Sequence, residues 1–375
     1  MFPQWFSKWN RENPKEIFGP AILVGVVGGA VVVAAALVTI GQPYATESFQ
    51  TGPRGTGMSV ARFVEAANTP DPTIANYFSM PPLPPLPGEV LAKDVYQNVQ
   101  VLGDLTEINF NRLMSAMVEW VGAGEEGCAY CHGDVPLEEH WRDDVYTKVV
   151  ARSMLQMTRD LNENWAVHVN YNPDDGNVGV SCYTCHRGEQ VPSNIWFKLG
   201  PVNANMAGWS ANQNRATVQS QFTSLPSDAL EKYLLETNPI NVHDLEARVP
   251  RDQANPATIQ DTYRTYSLMN YFSNALAVNC VFCHNSRAFY DPAQNTPQWT
   301  NASLGILMVQ EINNDWLVPL TDVFPEHRLG PVFGDVGKVA CATCHKGYQQ
   351  PLQRTDMISD WPELATTGVP VYVAE

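Results

Sequence analysis

The stretch Cys128-Ala-Tyr-Cys131-His132 has three further copies along the chain, and this repeated motif determines the architecture. The other copies, which complete motifs 1 to 4 in chain order, are Cys182-Tyr-Thr-Cys185-His186, Cys280-Val-Phe-Cys283-His284 and Cys341-Ala-Thr-Cys344-His345. C-x-x-C-H is the attachment signal for c-type heme. Both thiols bond to one porphyrin edge, and the adjacent histidine becomes the proximal iron ligand. All eight cysteines fall in these motifs, which predicts four covalent hemes.

Other uses of these cysteines explain less of the sequence. Zinc would take the cysteine pairs as tetrahedral ligands, but it leaves four adjacent histidines without a role. A disulfide framework has the same defect. The chain has 375 residues, 44% of them hydrophobic, which is enough for one large domain or two smaller ones. Its formal charge of -16 argues against nucleic acid and for a basic partner.

An uncharged apolar run covers residues 17–41. About 20 apolar residues span a bilayer, whereas the apolar core of a signal peptide is shorter, so we predict an uncleaved transmembrane anchor. Lys8, Arg11 and Lys15 precede the run, and Arg54 alone follows closely. The positive-inside rule therefore predicts a cytoplasmic amino terminus. Heme attachment independently predicts that the rest of the chain is periplasmic.

The remainder of the chain contains an internal repeat. LMSAMVEW (113–120) precedes motif 1 and LMNYFSNA (268–275) precedes motif 3, while motifs 2 and 4 share TCHRG and TCHKG. Motifs 1 and 3 are therefore one type of repeat unit and motifs 2 and 4 the other, and the two types alternate along the chain. This order predicts two diheme halves related by a pseudo-twofold axis, in a mainly α protein with extensive irregular chain. The predicted organisation is a cytoplasmic terminus (1–16), the anchor (17–41), an extended Pro-rich segment (42–95), the first half (96–191), a connector (192–258), the second half (259–351) and a tail (352–375).

Each iron needs a second axial ligand, and the repeat suggests methionines. In the segments before motifs 1 and 3 the repeat preserves Met114 and Met269. Met is a flexible filler of apolar cores, so without the heme motifs core packing would be the preferred role. Met opposite His raises the reduction potential of heme iron.

The segments before motifs 2 and 4 leave two interpretations open. Residues 154–165 (MLQMTRDLNENW) align with 305–316 (GILMVQEINNDW), so that Met157 matches Met308 but Met154 matches Gly305. In one interpretation Met157 and Met308 are both ligands. In the other, Met154 serves motif 2, and motif 4 needs a ligand from elsewhere or keeps an open iron. His168 lies 14 residues after Met154 and is a candidate to reach across.

Acidic residues crowd around motif 1. This acidic cluster has a single interspersed basic residue, Arg142, and consists of Glu125, Glu126, Asp134, Glu138, Glu139, Asp143 and Asp144. A solvated acidic face would have the same composition. Our hypothesis is a docking patch for a basic soluble donor, which would act mainly on the association rate.

Over residues 95–355 the chain resembles the tetraheme cytochrome c subunit of purple-bacterial-type photosynthetic reaction centres. The most specific matches are VLGDLTE (101–107), EGCAYCH (126–132), ARSMLQMTRDLNENW (151–165), CYTCHRG (182–188), NCVFCHN (279–285) and CATCHKG (341–347). The resemblance implies three His/Met hemes and one bis-His heme. The methionine ligands then fall on Met114, Met154 and Met269, and the distal ligand of heme 4 falls on His168.

The resemblance also implies a role. Such a subunit is an electron-transfer protein, not an enzyme, and re-reduces a photo-oxidised bacteriochlorophyll pair at the periplasmic face of a photosynthetic inner membrane. Its partners would be reaction-centre L, M and H subunits and a soluble cytochrome c or high-potential iron–sulfur protein. Many members are lipidated at a cysteine that this chain lacks. Attachment is therefore left to the 17–41 helix, which could also contact antenna helices.

Two rival classes remain. A membrane-anchored multiheme oxidoreductase would need an open iron at motif 4. A quinol-oxidising tetraheme protein also has one membrane helix, but that class is shorter, mainly bis-His, and lacks this methionine repeat.

Overall fold

The computed structural model describes most of the chain. The described residues are 3–14, 18–39, 46–50, 59–63, 70–169, 178–200, 212–242, 257–289 and 291–372. His243 lies outside them. The chain separates into two compact units, one of residues 1–48 with 61–69 and the other of 49–60 with 70–375.

The first unit contains the predicted membrane segment. Helix α1 spans Gln4–Glu12 and helix α2 spans Phe18–Thr39. Among the described residues, α2 is the helix that is long and apolar enough to cross a bilayer, and its apolar window Ile22–Thr39 is wholly unburied. Residues 17, 40 and 41 of the predicted anchor lie outside the described residues. Two short strands, β1 (Thr46–Gln50) and β2 (Ser59–Phe63), pair in a sheet that the repeat pattern did not predict.

The second unit is mainly helical. Its helices, in chain order, are α3 (Ala92–Val95), α4 (Glu107–Trp120), α5 (Ala129–His132), α6 (Tyr146–Asn164), α7 (Ala166–Val169), α8 (Cys182–His186), α9 (Ala229–Leu234), α10 (Ile259–Leu276), α11 (Pro297–Glu311) and α12 (Cys341–His345). A π-helical turn, Ile312–Leu317, continues α11.

Capping residues explain where two of the long helices begin. The Thr106 side chain accepts a hydrogen bond from the Asn109 amide at the start of α4. Thr258 and Asp261 form a reciprocal capping box at the start of α10. Both arrangements satisfy amide groups that have no partner within the helix. The repeated methionine segments therefore lie on helices whose N-termini are capped.

The repeat is visible in matched hydrogen bonds. Asn162, at the end of α6, exchanges two bonds with the backbone of Val180, of 2.9 and 2.8 Å. Asn313, after α11, exchanges two bonds with the backbone of Val339, of 3.0 and 2.9 Å. Each valine lies two residues before a heme motif. The asparagine side chain therefore ties each long helix to the motif that follows it.

The connector and the tail each contribute to a different apolar core. Asn313 also donates to the Leu234 carbonyl of α9, whereas Asn162 donates to the Leu364 carbonyl of the tail. The apolar core around α10 includes residues from α9. The core around α4 includes Leu352, Met357, Trp361 and Leu364. The tail thus packs beside the first motif segments, about 200 residues earlier in the chain.

The Pro-rich stretch lies along α4. The Asn109 side chain donates to the Leu83 carbonyl over 2.7 Å and accepts from the Leu83 amide over 3.3 Å. Arg112 donates to the carbonyl of Met80. An extended proline-rich segment cannot satisfy its own backbone groups, so these side chains hold it against the helix.

Candidate heme sites

The four C-x-x-C-H motifs fold into compact turns. Motifs 1, 2 and 4 form α5, α8 and α12, and motif 3 forms a short 3₁₀ turn at Cys280–Phe282. A single helical turn places the two cysteines and the histidine on neighbouring positions of one surface. This is the arrangement that covalent attachment to one porphyrin edge requires.

Motifs 2 and 4 share a specific local geometry beyond the cysteines. The basic residues that follow the histidines, Arg187 and Lys346, have left-handed backbones with φ of 52° and 50°. The next amide, of Gly188, donates to the Trp120 carbonyl at the end of α4. The amide of Gly347 donates in the same way to Ala275 near the end of α10. The TCH-basic-Gly sequences therefore dock each of these motifs on a preceding methionine helix.

Three of the four motif histidines are oriented by backbone carbonyls. The Nδ1 atoms of His132, His186 and His345 lie 3.0, 2.9 and 3.1 Å from the carbonyl oxygens of His140, Glu189 and Tyr348, respectively. A carbonyl oxygen only accepts, so each Nδ1 carries the proton and each Nε2 keeps its lone pair. Burial lowers the pKa of His345 to about 4, which keeps this ring neutral at pH 7. Burial lowers the pKa of His284 as well.

His168 has the same signature although it lies outside the motifs. Its Nδ1 is 3.0 Å from the backbone carbonyl oxygen of Asn301 on α11. Burial also lowers its pKa below the ordinary value. The ring belongs to α7, directly after the first-half helix α6, yet its contacts are in the second half. His168 is therefore a neutral imidazole with Nε2 free to bind a metal.

The spacing between the His168 and His345 rings fits one iron. Their ring centroids are 6.4 Å apart. A bond from histidine nitrogen to a divalent metal is about 2.0–2.1 Å, so two such bonds, plus roughly 1 Å from each nitrogen to its ring centre, require about 6 Å. The pair thus fits a bis-histidine site. Gly305 lies beside the ring of His168, in a space that a side chain at position 305 would fill.

One large, partly open cavity connects the candidate ligands. Its volume is about 2170 Å³, larger than the ~300–1,000 Å³ of a site for one small molecule. It is lined by the four motif histidines, by His168 and by six methionines, namely Met114, Met117, Met154, Met157, Met269 and Met308. Motifs 2 and 4 approach closely within it, since the Sγ atoms of Cys185 and Cys344 are 2.9 Å apart. The cavity and its donors fit several large iron-containing cofactors.

The acidic cluster divides into paired and unpaired carboxylates. Arg142 pairs with Glu139 and Asp144 over 2.8 and 2.5 Å. Lys148 and Arg152 pair with Asp143 over 3.0 and 2.8 Å. The Arg152 hydrogen bond holds the pKa of Asp143 well below its usual range, despite partial burial. Four members are exposed and form no ion pair with the described part of the chain, namely Glu125, Glu126, Asp134 and Glu138.

Sequence reasoning missed three kinds of participant. Lys148 and Arg152 lie on α6 and reach back to Asp143, so Arg142 is not the sole basic residue beside the cluster. Asn301, the partner of His168, has no motif around it. Arg187 forms a buried ion pair with Asp71 of the extended segment. A helical wheel could place Asn301 above Gly305, but only the fold brings His168 there.

These sites define the chain as a c-type cytochrome with covalently bound heme. Within this class, the chain belongs to the photosynthetic reaction centre cytochrome c subunit family, whose sequence model matches residues 41–365. The reaction centre cytochrome c subunit of Roseobacter denitrificans is 62% identical over 99% of this chain and 100% of its own length. That of Rubrivivax gelatinosus is 39% identical over 92% and 90%, and that of Thermochromatium tepidum is 41% identical over 74% and 65%.

Membership of this family establishes several of the sequence predictions. The protein is an electron-transfer subunit of photosynthesis and not an enzyme, and it associates with the reaction centre. This removes the multiheme oxidoreductase from consideration. A reaction-centre subunit is membrane-associated, and α2 is the candidate span.

Proposed function

We propose that the chain is a tetraheme electron carrier that re-reduces the photo-oxidised bacteriochlorophyll pair of a reaction centre with electrons from a soluble donor. The observation that carries this proposal is the set of four C-x-x-C-H turns around one cavity, with a fifth imidazole opposite the fourth motif. Bound heme supplies one-electron redox chemistry at its iron. The protein supplies attachment, ligands and an environment that sets each potential.

The proposed axial ligands all line the cavity, and the family resemblance selects them among its six methionines. His132 would pair with Met114, His186 with Met154, His284 with Met269, and His345 with His168. Each methionine lies on a helix that packs against a motif, and the partner helix α11 has Gly305 in place of a fourth methionine. Met154, Met157 and Met308 all belong to one apolar cluster with Leu161 and Ile312, so the choice of Met154 over Met157 rests on the family resemblance and on Gly305 at the matched position of α11.

We propose two pseudo-twofold-related diheme halves. The matched bonds of Asn162 and Asn313, and of Gly188 and Gly347, support this arrangement. The contact between Cys185 and Cys344 supports placing sites 2 and 4 next to each other. The family resemblance implies that the heme of motif 3 is nearest the pigment pair, followed by those of motifs 4, 2 and 1, and we propose this order.

The proposed orientation puts the amino terminus in the cytoplasm and residues beyond α2 in the periplasm. Lys8, Arg11 and Lys15 before the span support it. L, M and H subunits of the reaction centre would be the membrane partners, and antenna helices could contact α2. A basic cytochrome c or a high-potential iron–sulfur protein would dock at the acidic cluster, where the exposed carboxylates lie close to motif 1.

Flash excitation of native membranes tests the function directly. We expect absorbance changes of c-type heme oxidation after a single flash, with re-reduction of the pigment pair at the same rate. Membranes from a strain that lacks this chain are the matched control and should show slow re-reduction. If heme absorbance stayed constant after the flash, the proposed re-reduction of the pigment pair would be wrong.

A further inference from the structure

Helix α11 has an unusual pair of residues at the place where α6 has a methionine ligand. Asn301 and Gly305 are four positions apart, so they lie one above the other on the same helical face. Both contact the imidazole of His168, which comes from the other half of the repeat. The pair therefore forms the seat on which this ring rests.

Asn301 contributes acceptors to the seat. Its backbone carbonyl oxygen is 3.0 Å from Nδ1 of His168, and its side-chain oxygen Oδ1 is 3.2 Å from the same atom. Two acceptors around one ring nitrogen require that nitrogen to carry the proton. A partner that accepts from a ligating imidazole fixes its tautomer and ring orientation and increases its basicity.

Gly305 contributes space to the seat. An added Cβ would lie 2.5 Å from Cε1 and 3.0 Å from Nε2 of His168. Carbon atoms pack at about 3.5–4.0 Å, so even alanine would force the ring to move. The glycine is required by this close approach and not by its backbone angle, because it lies within a regular helix.

The first half shows what the same two positions hold when the helix itself provides a ligand. Repeat alignment matches Asn301 with Val150 and Gly305 with Met154. Val150 and Met154 both line the cavity, and valine has no side-chain acceptor. The two helices therefore differ at both positions together. The first-half helix has Val150 and Met154, whose thioether can bind iron, whereas α11 has Asn301 and Gly305, which contact the imidazole of His168.

We propose that Asn301 and Gly305 are specificity-determining positions that convert α11 from a methionine-donating helix into a receptor for His168. Asn301 is a positioning residue: it orients the ring and strengthens Nε2 as a donor, which favours ferric iron and lowers the reduction potential at site 4. This inference rests on the proposed ligation of site 4 by His168 and His345.

The test uses the intact reaction-centre complex with the variants Asn301→Asp, Asn301→Leu and Gly305→Ala. Asparagine and aspartate have nearly the same shape, so Asn301→Asp keeps the packing and replaces the amide oxygen by a stronger, charged acceptor. We expect the oxidised form at site 4 to gain roughly tenfold, which equals about 59 mV for one electron. Asn301→Leu should shift the equilibrium the other way, by less, because the backbone acceptor stays.

Gly305→Ala gives a second readout that does not depend on potential. Displacement of His168 should change or abolish the bis-histidine low-spin EPR signal of the oxidised complex. Ser303→Ala is the matched control, because Ser303 lies on the same helix and lines the same cavity, and its hydroxyl donates to Trp299. It should leave both the potential and the signal unchanged.

The outcomes distinguish a failure of this inference from a failure of the proposed heme ligation. A wild-type complex without any bis-histidine signal would remove the proposed ligand set itself. An unchanged reduction potential in Asn301→Asp together with an unchanged bis-histidine signal in Gly305→Ala, as in Ser303→Ala, would leave the carrier function intact and refute the proposed role of Asn301 and Gly305.

Discussion

Replacing Glu363 by glutamine should detach the tail from the first motif region, because it leaves a buried cation without its counter-charge. One guanidinium nitrogen of Arg112 donates to both carboxylate oxygens of Glu363, over 2.6 and 2.8 Å. The two side chains are only 2% and 0% exposed. Tyr372 also donates to this carboxylate, and the guanidinium lies 4.1 Å from the ring centroid of Trp361.

The magnitude follows from this burial. Removal of one partner of a buried ion pair costs about 3–5 kcal/mol, since the remaining charge is uncompensated. At 1.4 kcal/mol per factor of ten, the local opening constant of the tail should rise on the order of 10²- to 10³-fold. Arg112 lies two residues before Met114 on α4, so the pair also supports the helix that carries a proposed ligand.

Hydrogen exchange measured by mass spectrometry on the purified complex can test this estimate. The amides of Trp361 and Leu364, which donate to Met357 and Trp361, should lose protection in Glu363→Gln. Glu139→Gln is the control, because its pair with Arg142 is 42% and 47% exposed and is worth about 0–1 kcal/mol. Equal protection of the tail in both variants would refute the inferred role of the buried pair.

Three further predictions concern pH, docking and ligation. Burial would raise the pKa of Asp71, but hydrogen bonds from Thr73 and Arg187 outweigh burial and hold the pKa in the folded protein below its ordinary value. The stabilisation of the fold by this carboxylate is full above about pH 4 and is lost as pH falls through the folded pKa. The free energy of unfolding should therefore fall less steeply with acid in Asp71→Asn than in the wild type. Glu126→Lys should slow association of a basic donor about tenfold at low salt, whereas Asp143→Asn, already paired in the fold, should change it far less in the same stopped-flow series; equal effects would contradict the division of the cluster. Met269→Leu should convert one heme to a high-spin ferric form with a lower potential, seen by EPR and redox titration, and an unchanged spectrum would exclude Met269 as a ligand.

Local sequence signals predicted the features that depend on local chemistry. The heme motifs, the apolar span and the repeated methionine helices each follow from spacing or composition within one segment. The Met154/Gly305 mismatch left two interpretations of the ligands open, and the structure brings His168 to that glycine.

Features that depend on distant contacts were not predictable in the same way. Nothing around Asn301 marks it, because its partner is 133 residues away. The packing of Trp361 on Trp120 joins the tail to a helix more than 200 residues earlier, and a periodic pattern has no information about that partner. Lys148 and Arg152 pair with Asp143 only because α6 folds back beside motif 1.

Low-temperature EPR of the fully oxidised complex tests the central claim most directly, because it reports the coordination of every iron at once. The proposed ligands predict four low-spin ferric signals, three of the His/Met type and one of the bis-histidine type from His345 and His168. A substantial high-spin ferric signal in the intact protein would mean an open iron, and it would contradict the assignment of His168 as the distal ligand received by α11.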